Sequence, residues 1–364
     1  MEPKPQEQER STQSSEPLTP ERALGFWSRR ATAGDELRAI EIGLINRTFS
    51  VGSPPRFILQ RVHPTFDPRI QQDIAAVTRR LAERGLETPL LLPTDEGELA
   101  VPCAEGFWRL MTFVPGTTWT RLERPAQAAA AGRLVGRFHA ALRGWSYRPA
   151  APDRRAHETP TRMAELAQAL ERCDGHPLAD PARETGQEIL RAWESWEGSL
   201  DLPRRLCHGD LKASNLRFRR SADAVEGICL LDLDTLGPQR LACEMGDAWR
   251  SWCNVGLEDE PELARFESGL FTASATAWLE ALEKAGGLEP EERDSLVPGI
   301  ERICLELAAR FCRDAVVNRY FREDRDRHPQ PGEHNLRRAL SQLRLAASAR
   351  DQRASCEAVI RGAG

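Results

Sequence analysis

A chain of 364 residues, 40% hydrophobic and 29% charged, is long enough to bury a sizeable core and predicts two domains or lobes. Its formal charge of −5 supplies no overall positive field for holding a polyanion, which argues against a nucleic-acid partner. No stretch approaches the roughly 18 consecutive apolar residues of a membrane span. The nine cysteines include no C-x-x-C pair, a pattern that predicts reduced, mostly buried thiols rather than a disulfide framework or a zinc site. Lys4, Lys212 and Lys284 are the only lysines, so any task usually given to lysine falls to Lys212 or to an arginine.

Residues 1–22 are polar and carry neither a basic-plus-apolar leader nor an amphipathic transit helix, which predicts a disordered tail and a cytoplasmic protein. Residues 23–115 form the expected first lobe. Within it, short apolar or β-branched runs at 37–43, 48–51, 57–62, 99–101 and 108–114 are cut by turn residues, the signature of an antiparallel sheet. One helix interrupts the sheet, with Asp67 as its N-cap, Pro68 in the first turn, Ile70, Ile74, Val77 and Leu81 on one face, and Gly85 as its stop.

Beyond Pro115 and Gly116 helical periods take over: Leu134, Val135, Phe138 and Leu142; Met163, Leu166 and Leu170; Ile189, Leu190, Trp193 and Trp196. Residues 116–364 are therefore expected to form a helical second lobe. Strands at 204–207, 216–218 and 227–231 interrupt it, and their loops are the candidates for chemistry. The fold class is thus α+β and two-lobed, with a sheet lobe carrying one main helix and a helical lobe carrying a short β-hairpin.

The chemistry concentrates in residues 206–215 and 228–234. Phosphoryl transfer from a nucleotide requires a carboxylate to orient and deprotonate the acceptor hydroxyl, and oxygen ligands to hold Mg²⁺ on the phosphates. Asp210 after one strand, Asn215 five residues on, and Asp232 at the end of the following strand can converge on one site, with Asp210 as base and Asn215 and Asp232 as magnesium ligands. Lys212, two residues after Asp210, would either stabilise the transferring phosphoryl group or be an ordinary exposed loop lysine. His139, in the first helix of the second lobe, reads as a hydrogen-bonded helix histidine.

The run from His208 through Asp210 to Asn215, followed by Asp232, resembles the aminoglycoside phosphotransferase and choline kinase superfamily, whose signature is H-x-D-x-x-x-x-N and whose fold is protein-kinase-like. Residues 43–49, 57–62, 108–116, 231–235, 246–250 and 334–336 are most similar to N-acetylhexosamine 1-kinases. The resemblance implies ATP and Mg²⁺ as co-substrate and cofactor, a small-molecule acceptor, and neither an obligate protein partner nor a membrane. It implies that His208 braces the catalytic loop and is not the base, and that Gly43 and Asn46 belong to a loop over the nucleotide phosphates. Arg61 stands where a phosphate-binding lysine usually sits, with Gln60 as the neighbouring alternative and Asp73 as a partner in the role of the kinase helix glutamate. Met111, Thr112 and Val114 would line the adenine site. Asp247 would either accept from a substrate hydroxyl or cap and brace the catalytic hairpin. Arg310 and Tyr320 would face a sugar acceptor, unless Arg310 merely forms an i,i+4 ion pair with Asp314.

Overall fold

The computed structural model describes residues 18–31, 34–40, 46–153, 157–222 and 224–362. The chain divides into two compact units, one of residues 18–66 with 91–113 and the other of 67–90 with 114–362.

The first unit opens with helix α1 (Pro20–Leu24), which overlaps the last three residues of the stretch expected to be disordered. Thr19 caps it, accepting from the Arg22 amide at 3.4 Å, and Pro20 occupies the first turn, where its missing N–H costs nothing. Burial of Ala23, Leu24 and Trp27 explains why the segment is ordered. Residues 1–17 of the expected tail lie outside the described residues.

Six antiparallel strands follow: β1 (Leu37–Ile40), β2 (Arg47–Val51), β3 (Phe57–Val62), β4 (Leu91–Leu92), β5 (Val101–Cys103) and β6 (Gly106–Thr112). Their order is β1-β2-β3-β6-β4, with β5 also paired to β6. Because side chains alternate across a strand, the registers sort the residues onto two faces. Phe49, Leu59 and Leu110 stand in one cross-strand row, on the face that packs with Ala23, Leu24 and Trp27 into the core. The opposite face carries the row Thr48, Gln60 and Arg109.

The helix expected in the first lobe, α2 (Ile70–Glu83), belongs by its contacts to the second unit. It also starts later than expected. Asp67 accepts from the Arg69 amide at 2.9 Å and so closes a turn before the helix instead of capping it. Arg80 Nε donates to the Ala141 carbonyl at 3.2 Å. That carbonyl lies in α3 (Pro125–Leu142), which is followed by α4 (Thr159–Glu171) and α5 (Ala179–Glu194), as their apolar periods predicted.

Strands β7 (Arg204–Cys207), β8 (Leu216–Arg220), β9 (Val225–Leu230) and β10 (Gly237–Arg240) come next. The β8–β9 hairpin was expected, whereas the pairing of β7 with β10 was not. The chain ends in α6 (Leu241–Trp252), α7 (Ser268–Glu283), α8 (Pro290–Val317), α9 (Glu333–Asp351) and α10 (Arg353–Gly362). α6 and α8 approach closely enough that a Cβ on Gly299 would lie 2.2 Å from the Ala242 carbonyl oxygen, and one on Gly246 would lie 2.4 Å from that of Gly299. All nine cysteines are free thiols and only Cys103 is not buried. Among the described residues, no helix is long and apolar enough to cross a membrane.

Candidate active site

The loop between β7 and β8 presents the predicted base. Asp210 Oδ2 accepts from Lys212 Nζ at 2.7 Å and from Asn215 Nδ2 at 3.0 Å, and the same amide nitrogen donates to the Asp210 carbonyl at 2.8 Å. Burial alone would raise the Asp210 carboxyl, but the charge and hydrogen bond of Lys212 outweigh it and hold the group below the usual carboxylate range. Asp210 is therefore ionised and able to take a proton at neutral pH. With Asn215 Nδ2 committed to Asp210, its Oδ1 is left as an acceptor. Asp232 adopts a left-handed conformation, with φ of 60° and ψ of 59°, unusual outside glycine and of the kind concentrated at functional sites. Its charge acts on Lys212 together with those of Asp210 and Asp247, so these four side chains share one electrostatic environment. One amide oxygen and one carboxylate are hard oxygen donors, a set that fits Mg²⁺.

His208 is fully buried. Its Nε2 lies 2.8 Å from the Leu231 carbonyl, which can only accept, so Nε2 carries the proton, and Nδ1 accepts from the Asp210 amide at 3.3 Å. Both nitrogens are occupied and the ring joins the β7–β8 loop to the segment that carries Asp232. Gly209, at φ of 87°, requires glycine on two grounds, since a Cβ would also lie 2.5 Å from the Thr235 carbonyl oxygen.

Glu244 is the residue that sequence reasoning missed. Its carboxylate accepts from the amides of His208 at 2.8 Å and Gly209 at 2.9 Å, and His139 Nε2 lies 3.3 Å from the same Oε1 that takes the His208 amide. His139 Nδ1 accepts from Trp278 Nε1 at 3.0 Å, so its Nε2 bears the proton and donates. Trp278, His139 and Glu244 thus form a buried relay that fixes the catalytic loop, and His139 is hydrogen-bonded as expected. A carboxyl at position 244, in the first turn of a helix just after β10, was the available signal. Further pins come from Trp252 Nε1, donating to the Leu211 carbonyl at 2.7 Å, and Ser251 Oγ, accepting from the Ala213 amide at 3.2 Å.

Asp247 lies within α6, which starts at Leu241 rather than at Gly246, so it caps no helix. Its Oδ1 accepts from Arg250 Nε at 3.0 Å and Nη2 at 2.8 Å. The i,i+4 pair between Arg310 and Asp314 does not form. Asp314 accepts instead from the amides of Arg319, Tyr320 and Phe321 and from Asn335 Nδ2, closing the turn after α8. The Arg310 guanidinium lies 5.5 Å from the Tyr320 ring centroid and 5.4 Å from that of Phe321, cation–π distances. Tyr320 is 63% exposed.

In the first unit, Arg61 shares the core-bearing face with Leu59 and forms an ion pair with Glu105. Gln60 points to the opposite face, where its Oε1 accepts from Arg109 Nε at 3.0 Å and its Nε2 donates to Thr48 Oγ1 at 3.0 Å. Asp73 is held by partners within its own unit. It is fully buried, and its carboxylate takes the Tyr147 hydroxyl at 2.6 Å and the amides of Ala150 at 2.7 Å and Ala151 at 2.9 Å. Asn46 Oδ1 accepts from the His63 amide at 3.0 Å, Met111 and Thr112 lie at the end of β6, and the Val114 carbonyl accepts from Arg217 Nε at 2.8 Å. Gly43 lies outside the described residues.

Residues 36–291 match the model of the phosphotransferase enzyme family. Homoserine kinase of Gluconobacter oxydans (strain 621H) is 26% identical over 185 residues, 48% of this chain and 52% of that protein, so the chain matches about half the length of this curated relative. Two solved structures share the fold over nearly the whole chain. The aminoglycoside phosphotransferase from Alicyclobacillus acidocaldarius subsp. acidocaldarius DSM 446 is 17% identical with a TM-score of 0.58, covering 95% of this chain and 99% of that one. A microcompartment-associated aminopropanol kinase is 16% identical with a TM-score of 0.57, covering 93% and 97%. With well over half its length matched to the family model, the chain belongs to the phosphotransferase enzyme family.

Proposed function

We propose that the protein is an ATP- and Mg²⁺-dependent small-molecule kinase that phosphorylates a sugar, at the anomeric hydroxyl of an N-acetylhexosamine or a related hexose. The observation that carries the kinase reading is the ionised Asp210 carboxylate, held by Lys212 and Asn215 within 3.0 Å and electrostatically linked through Lys212 to Asp232. Asp210 orients the acceptor hydroxyl and takes its proton as the bond to phosphorus forms. Lys212 compensates the carboxylate charge and remains beside the phosphoryl group in transfer. Asn215 Oδ1 and Asp232 would hold Mg²⁺, which when bound with the triphosphate supplies positive charge to its oxygens. The polar face of the first unit's sheet, with Gln60, Arg109 and Met111, and the residues Asn46, Thr112 and Val114 are assigned to the nucleotide.

The sugar reading rests on the resemblance and on the setting of Arg310 and Asp247. Asp247 is ion-paired with Arg250 and Arg310 is itself a cation lying against aromatic rings, so neither offers an ammonium group an unpaired carboxylate, and a neutral polyol is the better match. A base fixed at Asp210 deprotonates only the hydroxyl aligned with the γ-phosphate, so positioning sets the regiochemistry. The test is ADP release from a panel of sugars, amino-alcohols, aminoglycosides and homoserine, followed by phosphorus NMR of the product. Coupling of the phosphorus to an anomeric proton is expected. A 6-phosphate, or turnover of amine-bearing acceptors alone, overturns the sugar reading and leaves the kinase reading standing.

A further inference from the structure

A polar stripe runs along α8, formed by the buried Arg302 and Glu306 and the half-buried Arg310 at i, i+4 and i+8. Arg302 Nε donates to Thr159 Oγ1 at 2.9 Å, Thr159 Oγ1 donates to Glu306 Oε2 at 2.6 Å, and Glu306 Oε1 lies 3.0 Å from His157 Nδ1. A carboxylate only accepts, so His157 Nδ1 carries a proton and the ring orientation is determined. Arg302 Nη2 also donates to the His157 carbonyl at 3.0 Å. His157 Nε2, on the far side of the ring, is buried and has no partner among the described residues, as is true of Arg302 Nη1. A buried polar atom without a partner is costly and calls for an explanation. The charges acting on His157 are those of Glu306, Asp247 and Arg310, and Asp247 also acts on Lys212 beside the catalytic Asp210. Asp247 and Arg310, the residues assigned to the acceptor, thus act on the ring that bears the unpartnered nitrogen.

We propose that His157 Nε2 binds the acceptor by hydrogen-bonding one of its hydroxyl groups, with Thr159, Glu306 and Arg302 holding the ring in position. The proposal deepens the kinase reading above and names a neutral, hydroxyl-bearing acceptor for this contact. It also explains why a polar network occupies a helix face that could otherwise have been apolar. Burial alone would lower the imidazole, but the charge and hydrogen bond of Glu306, with the charge of Asp247, outweigh both burial and Arg310 and raise its pKa above the ordinary value. The ring thus stays a two-proton donor to higher pH than a free histidine. The contact to a hydroxyl oxygen is strongest below that raised pKa and weakens as pH rises through it.

His157→Asn isolates the contact, because the asparagine amide stands in for Nδ1–H toward Glu306 and removes Nε2. On the full chain, with whichever acceptor of the panel is turned over, H157N is expected to raise the acceptor KM between about tenfold and a hundredfold, the range for losing a charge-assisted hydrogen bond. The ATP KM is expected to stay within about threefold, and the rise of acceptor KM with pH is expected to disappear. A folded H157N with unchanged acceptor KM and a lowered melting temperature overturns the proposal and assigns the nitrogen to internal packing. If H157N does not fold, Glu306→Gln serves: it keeps the ring and removes the charge, so the pH at which acceptor KM rises should move down, and an unmoved profile overturns the proposal. The acceptor panel separates this outcome from the sugar reading, since an amine-bearing acceptor can refute the sugar while H157N still reports on the contact.

Discussion

Glu244→Gln is the perturbation whose consequences follow most directly from the geometry. The Glu244 carboxylate accepts three donors, the amides of His208 and Gly209 and the His139 ring, at 2.8, 2.9 and 3.3 Å. It is 1% exposed and so out of reach of bulk water. A glutamine retains one oxygen and turns an NH₂ toward a backbone N–H. The variant loses about one charge-assisted bond and leaves about one buried donor unsatisfied, together about 2–5 kcal/mol. At roughly 2–4 °C per kcal/mol this is a fall in melting temperature on the order of 10 °C. The two amides belong to the residues just before Asp210, so a displacement of about 1 Å at the base should lower kcat roughly a hundredfold. Burial would raise the Glu244 carboxyl, but the hydrogen bonds it accepts, that of His139 first and that of the Gly209 amide with it, outweigh burial and hold the group below its ordinary value. A depressed folded-state pKa contributes stability above the unfolded-state value and loses it as pH falls through the folded-state value. The stability gap between wild type and E244Q should therefore be full at neutral pH and shrink on acidification. Chemical denaturation across pH, with kcat measured on the same samples, tests this. A variant with unchanged stability and turnover at neutral pH would refute the bracing role.

Asp210→Asn preserves shape and removes the proton acceptor, so kcat should fall by roughly two to four orders of magnitude with little change in ATP KM; near-normal steady-state turnover places the base elsewhere. Arg61→Ala should change ATP KM by less than about threefold, since Arg61 is ion-paired with Glu105 on the core-bearing face, and a tenfold rise would return the phosphate clamp to Arg61. Gly299→Ala should destabilise by about 1–3 kcal/mol, because the added carbon would meet the Ala242 carbonyl oxygen at 2.2 Å. Helix propensity alone favours alanine by about 1 kcal/mol, so a stabilised G299A in thermal denaturation would show that α6 and α8 can move apart.

Local chemistry was legible in the sequence wherever a few neighbouring residues carry it. Asp210, Lys212 and Asn215 share one loop, and their spacing alone brings the carboxylate, ammonium and amide within 3.0 Å. The periods of α3, α4 and α5 were readable because a helix or strand shows its buried face in its own residue order. Partners distant in the chain were not readable. Glu244 lies 36 residues after the His208 amide it holds, and Glu306 lies 149 after His157. Nothing near either residue states which helix will pack against it. Asp73 shows the same limit: the expected pairing with Arg61 gave way to Tyr147 and the amides of Ala150 and Ala151, because α2 packs in the second unit. The sequence placed Gln60 and Arg61 side by side as alternatives for one role, and only the register of β3 against β2 and β6 sent one to the core-bearing face and the other to the polar row. Residue order specifies which side chains alternate or recur, while the choice of what each face meets is made by long-range packing, since the burial that drives it is a property of the assembled chain.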